Sequence, residues 1–351
     1  MTVTTATGYR VERIDDLAAL PEAELREYAE LLRGLERERI PEDPAPPVDV
    51  YLSRFRTPPP HATRLDWLVR TADGELVARA LLFITKLEEN AHLRDSVIEV
   101  RADHRRHGIA DRLFGDMVRA TGDAPEVVIT FGTSDRAPSG IAYAEHIGAT
   151  KGLDTHVNQL AVEDIDRALM REWAQLAPKG YRLVWIDGDT PEELMDNVLV
   201  AYDAMNTAPL GSIPMNPWRQ TAERTREWDA MRKKQGRERR LLLAILDETG
   251  ETAGFTETAF DPRMPHVVGQ MGTAVIPKHR GRDLGKWLKA VSLERVLAER
   301  PTARFIRTGN ADVNAPMLSI NTRMGFKPAW ATAWWKISLA DAKRYVEARG
   351  L

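Results

Sequence analysis

Val100-Arg101-Ala102-Asp103-His104-Arg105-Arg106-His107-Gly108-Ile109-Ala110 is the stretch on which the fold reading rests. An apolar run, Ser96 to Val100, enters it, and Ile109 to Ala120 leaves it with Leu113, Phe114, Met117 and Val118 on one side of a helix. A strand, a short basic turn and an amphipathic helix are therefore expected in that order. Unpaired backbone N–H groups and the positive end of the dipole make the start of such a helix an anion site, and Gly108 lets a phosphate approach the main chain. Arg105 and Arg106 add charge-assisted contacts. The spacing lacks the Gly-Lys-Ser/Thr of a P-loop and the three glycines of a dinucleotide fingerprint.

The same pattern returns as Val275-Ile276-Pro277-Lys278-His279-Arg280-Gly281-Arg282-Asp283-Leu284-Gly285, about 175 residues further on. Other markers keep that offset to within a few residues: Tyr9-Arg10-Val11 with Tyr181-Arg182-Leu183, Gly74-Glu75 with Gly250-Glu251, and Ile147-Gly148-Ala149 with Met324-Gly325-Phe326. Chance composition rarely produces four markers in one order. Two domains of one fold are expected, residues 1–165 and 181–351, joined by a linker helix over 166–180 that ends at Pro178-Lys179-Gly180. In the first half a helix is expected from Pro21 to Arg39, a Pro-rich loop from Pro41 to Pro60, and strands at Asp66–Arg70, Leu76–Ile84, Ser96–Val100 and Val127–Phe131. The second half repeats them with strands at Arg240–Ile245, Ala253–Thr258, Gln270–Val275 and Phe305–Thr308 and a helix at Leu284–Glu299. The fold class is α/β (α+β), two tandem domains, each a mixed, mostly antiparallel sheet flanked by helices.

Composition narrows the function. Of 351 residues, Lys+Arg number 49 and Asp+Glu 52, so the net charge of −3 offers no footprint for nucleic acid or anionic lipid. Cysteine is absent, which removes disulfides, thiolate zinc sites and a cysteine nucleophile and fits a reducing compartment. No signal-peptide core or long apolar run is present, and a cytoplasmic location is expected. His104 and His107 lack a third ligand at suitable spacing, so no metal is expected. The Arg224–Arg240 charge run, with Glu227, Asp229 and Glu238 interleaved, reads as a solvated helix face. Trp330, Trp334 and Trp335 read as core or interface packing.

Arg105 to Ala110 resembles the Arg/Gln-x-x-Gly-x-Gly/Ala element of the GNAT superfamily of N-acetyltransferases, and Arg280 to Gly285 resembles it with Asp283 in place of the first glycine. The resemblance runs along nearly the whole chain as two copies, an arrangement similar to that of mycothiol synthase-like tandem proteins of actinobacteria. It implies acetyl-CoA (or another acyl-CoA) as co-substrate, held by Val100, Arg105, Arg106, His107, Gly108, Ile109 and Ala110 in the first half. In the second half it implies Val275, Arg280, Gly281, Arg282, Asp283, Leu284 and Gly285, with Asn310 and Asn314 on the pantetheine arm. Thr133 and Ala137 stand at the matching first-half positions, so the later motif is more complete in the second half. The implied reaction is direct attack of a small-molecule primary amine on the thioester in a ternary complex, by a monomer or homodimer; the alternative is an acyl-CoA-binding or interaction protein with one or both halves catalytically degenerate.

The resemblance also implies a base and an acid. Glu99, one residue before Val100, is the first-half base candidate, suited to the task if a half-buried cleft raises its pKa. Ala274 is its counterpart, so Glu257 or a water held by Thr273 is the second-half candidate. Tyr143, five residues before Gly148, is the candidate acid for the departing thiolate. Specificity is expected in Pro41–Pro60 and its counterpart Ala204–Arg219.

Overall fold

The computed structural model describes residues 8–351 and the backbone of 2–4. In chain order the elements are β1 (Thr2–Thr4), β2 (Arg10–Ile14), α1 (Glu22–Arg39), α2 (Val48–Phe55), β3 (Ala62–Arg70), β4 (Leu76–Thr85), β5 (Leu93–Val100), α3 (Ile109–Ala120), β6 (Val128–Ser134), α4 (Pro138–His146) and β7 (Thr150–Ala161). They continue with α5 (Arg167–Ala174), β8 (Tyr181–Asp187), α6 (Met195–Asp203), α7 (Ala222–Lys234), β9 (Glu238–Leu246), β10 (Thr252–Phe260), β11 (Val267–Val275), α8 (Leu284–Glu299), β12 (Phe305–Ala311), α9 (Ala315–Met324), β13 (Lys327–Ser338) and α10 (Leu339–Ala348).

Two compact units result. The first holds the described residues up to Asp154 with Gly211–Asn216 and Thr332–Leu351; the second holds Thr155–Leu210 and Pro217–Ala331. Neither is the contiguous stretch that a division at 165 and 181 gives. The first unit's sheet runs β1-β2-β3-β4-β5-β6 and is completed by the end of β13, with Thr332↔Ser134 through Ser338↔Val128 antiparallel. The second unit's sheet runs β12-β11-β10-β9-β8 and is completed by the end of β7, with Thr155↔Ala311 through Ala161↔Phe305 antiparallel. Within residues 166–180, α5 buries Met170 and Trp173 among Leu293, Val296 and Phe326 of the second unit's core.

Each unit has a helical layer on both faces of its sheet. In the first, α1 and α2 bury Leu25, Tyr28, Leu32, Tyr51 and Phe55, and Tyr28 stacks on Phe55 at 4.7 Å between centroids. Helix α2 lies inside the expected Pro-rich loop, because Pro47 ends the extended stretch and Val50, Tyr51, Leu52 and Phe55 then fall on one buried face. On the opposite side α3 packs Leu113 and Met117 against Trp67, Val69 and Ala80. In the second unit α8 packs Leu284, Trp287 and Leu288 on Leu242, Ala244 and Ala253.

The parallel pairs place the opening. Strand β5 pairs with β6 only from Leu93↔Val128 to Ser96↔Phe131, and beyond that the two diverge. Strand β11 pairs with β12 only over Val267, Val268 and Gly269 before the same divergence. Both outer neighbours stay fully paired, so the splay is a property of these two central junctions.

Candidate functional site

The two turns have the same backbone. Arg106 and Gly108 adopt positive φ of 66° and 75°, and Gly281 and Asp283 adopt 76° and 56°. Each turn therefore needs a left-handed residue at its second and fourth positions, and each supplies glycine at only one of them. Asp283 starts α8 without a side-chain cap and pairs instead with Lys286 at 2.6 Å. Arg105 Nε donates to the Val100 carbonyl at 3.0 Å, as Arg280 Nε does to Val275 at 3.0 Å. The first motif arginine thus fixes the turn to its strand, and Arg105 also pairs with Glu38 at 2.6 Å. Arg106, His107 and Gly108 remain exposed around the start of α3. A second repeated device ties each unit's first strand region to its turn: Tyr9 with His104 Nδ1 at 3.0 Å, and Tyr181 with His279 Nδ1 at 2.9 Å.

In the first unit a cavity of about 560 Å³ opens at this turn. Ile98 and Val100 line it from one face of β5 and Glu99 from the other, so it passes through the splay. Leu35, Glu38 and Arg39 of α1 wall one end; Ala110 and Asp111 of α3, and Gly140, Tyr143 and His146 of α4, wall the other. Val100, Arg105, Arg106, Gly108, Ile109 and Ala110 all border it.

Glu99 is not a raised carboxylate. Burial pushes its pKa up, but the Arg79 and Arg39 guanidiniums, at 2.6 and 3.0 Å, outweigh this and hold it below its ordinary value. Arg39 is paired with Glu36 as well. The raised group on this strand is Asp95, four residues earlier and on the same face as Glu99, which burial lifts to about 6. It stands where β5 and β6 are still paired, opposite Thr130, next to the vertex of the splay. Sequence reading passed over Asp95 because it was measured from the turn; the alternation Asp95, Val97, Glu99 was the available signal. Tyr143 borders the cavity with its hydroxyl buried near the Asp111 carboxylate, and burial and that carboxylate raise its pKa.

The second unit fills the corresponding place differently. Gly285 and Ile320 correspond to Ala110 and Tyr143, and a methyl group on Gly285 would lie 3.2 Å from Ile320 Cδ1. Fully buried Lys289 donates to Asn321 Oδ1 at 2.6 Å, and Asn321 donates to Asn310 Oδ1 at 2.8 Å. Asn158 donates to the same oxygen at 3.3 Å, so the Asn310 carbonyl is committed inside the fold. Burial pulls the Lys289 ammonium down to about 7. Asn314 begins α9 without a side-chain cap. Glu257 accepts from Tyr202 at 2.6 Å, and Tyr202 accepts from buried Arg239 at 2.9 Å. Leu284 is buried, whereas Gly281, Arg282 and Asp283 are exposed.

The remaining candidates fall into structural roles. Arg226, Arg232 and Arg240 are paired with Glu192, Asp229 and Glu299, and Arg239 is internal. Trp335 is buried and donates to Thr133, and Arg307 lies 5.2 Å from the Trp330 ring, but Trp334 is exposed rather than packed as expected. No group of three or more metal-ligating side chains occurs among the described residues. No described helix is long and apolar enough to cross a membrane.

No protein-family model matches the sequence, and no curated protein matches it. Solved structures do match in fold. A tandem GNAT protein from the clavulanic acid biosynthesis pathway superposes with a TM-score of 0.77 at 24% identity, over 94% of this chain and 98% of that one. A GCN5-related N-acetyltransferase from Sphaerobacter thermophilus gives 0.63 at 14% identity, over 96% and 97%. A putative acetyltransferase from Pyrococcus horikoshii gives 0.52 at 15% identity, over 94% and 89%. The chain therefore has the tandem GNAT fold, the architecture expected from its two strand-turn-helix elements.

Proposed function

We propose that this chain is an acyl-CoA-dependent N-acyltransferase that moves acetyl from acetyl-CoA to a primary amine of a small molecule, and that the first unit holds the coenzyme. The observation that carries the proposal is the cavity through the β5–β6 splay at the one turn whose Ala110 and Tyr143 leave room beside α3. The backbone N–H groups at the start of α3, with Arg106, suit a pyrophosphate. The bound thioester supplies the activated acyl group. Asp95, at the splay vertex and outside the cavity lining, takes the proton of the attacking amine nitrogen through an intervening water, and the Tyr143 hydroxyl gives one to the departing sulfur. Glu99 acts as a positioning residue, neutralising Arg79 and Arg39 at the far end of the cavity.

Ile320 and the Lys289–Asn321–Asn310 network favour the degenerate reading for the second unit alone: a GNAT half without coenzyme, with Glu257 engaged by Tyr202. The acceptor would be read by α2 and its flanking prolines. The segment Gly211–Asn216, from the middle of the second expected specificity stretch, would join it, since it packs within the first unit through His92, Asn90 and Gly152. The test is release of free thiol from acetyl-CoA with a panel of primary amines. Turnover with at least one amine, lost in Gly108→Glu and reduced about tenfold or more in Tyr143→Phe, is expected. A full panel without turnover despite coenzyme binding would leave a binding protein instead.

A further inference from the structure

Arg349, just after the end of helix α10, reaches the cavity. Arg349 borders the cavity together with Asp111, Tyr143 and His146. Its Nη2 donates to His146 Nε2 at 2.9 Å, and its guanidinium lies 5.3 Å from the Tyr345 ring centroid. The nearest carboxylate, Asp111, is only loosely engaged at 3.8 Å and instead accepts firmly from the Tyr345 hydroxyl at 2.7 Å. Arg349 thus presents N–H donors to the cavity mouth from a side chain held in place by a ring and an imidazole. Asp111 is three residues beyond Gly108 on α3, and this cation borders the same cavity as the turn assigned to the pyrophosphate.

We infer that Arg349 and His146 form a receptor for the phosphomonoester at the nucleotide end of the acyl carrier; this rests on the coenzyme reading above. The arrangement is not a by-product of the fold. At the matching place of the second unit, α5 supplies Trp173, and Lys286 and Arg323 lie over its ring at 5.8 and 4.8 Å. Asp111 and His146 have become Lys286 and Arg323, and the aromatic hydroxyl is gone.

The experiment is calorimetric titration of the full chain with coenzyme A and with dephospho-coenzyme A, which lacks that phosphate, at one fixed ionic strength. Wild type should bind coenzyme A about tenfold or more tightly than the dephospho form. Arg349→Ala should remove most of that preference while leaving dephospho-coenzyme A binding unchanged, and Arg349→Lys should restore part of it. Equal loss of affinity for both carriers, or a wild type that does not tell them apart, overturns the inference while leaving the coenzyme reading intact. Failure of wild type to bind either carrier overturns both.

Discussion

Exchanging Asp95 for Asn separates two accounts of the base. Asp95 is held at about 6 against an ordinary value of 3.8, so burial favours its neutral form by about 3 kcal/mol. The folded chain then binds the proton more tightly than the unfolded chain between pH 4 and 6, and stability falls as pH rises through that window. Asp95→Asn should therefore be more stable than wild type above pH 6, by up to roughly 3 kcal/mol, with the gain vanishing near pH 4. Activity should move the opposite way. Wild-type kcat should climb with pH to a plateau with a midpoint near 6, and Asp95→Asn should lose that limb and fall by about 10²-fold to 10⁴-fold. Glu99, held low by Arg79 and Arg39, contributes no such limb. Glu99→Gln should keep it and instead cost about 3 kcal/mol of stability by leaving buried Arg79 uncompensated. The measurements are chemical denaturation and steady-state kinetics from pH 4.5 to 8 on the three proteins. A limb near pH 6 that survives in Asp95→Asn, or disappears in Glu99→Gln, would refute the assignment.

Two further predictions concern the second unit. Asp283 holds a φ of 56°, so Asp283→Gly should stabilise by about 1 kcal/mol despite losing the exposed pair with Lys286, read as a small rise in Tm. Lys289 is pulled to about 7 from 10.5, so the unfolded chain binds the extra proton between those values and wild-type stability rises with pH across that range. The stability advantage of Lys289→Met over wild type should then shrink by up to roughly 4 kcal/mol between pH 7 and pH 10. A difference that stays constant with pH would mean that Lys289 is not a desolvated cation.

Much of this was legible in the sequence because it is local. Arg105 to Ala110 and Arg280 to Gly285 carry their strand, turn and helix signals within eleven residues, and their repetition gave the tandem architecture. The strand completion was not legible, since β7 and β13 have similar alternation and only long-range pairing decides which sheet each one finishes. Glu99 was found by its position, but its electrostatics come from Arg79 on the adjacent strand and Arg39 on α1, neither near it in sequence. Asn310 matched the coenzyme-binding pattern in type, yet its side-chain oxygen accepts from Asn321, which is itself held by the buried Lys289. The fuller motif therefore stands in the half whose Asn310 is engaged inside the fold. Helix α2 was hidden by its prolines, which flank it rather than interrupt it.

Calorimetric titration with acetyl-CoA tests the central claim most directly. One site per chain is expected, abolished by Gly108→Glu and retained in Gly285→Glu. Two sites, or a single site that survives Gly108→Glu and is lost in Gly285→Glu, would contradict the assignment of the coenzyme to the first unit.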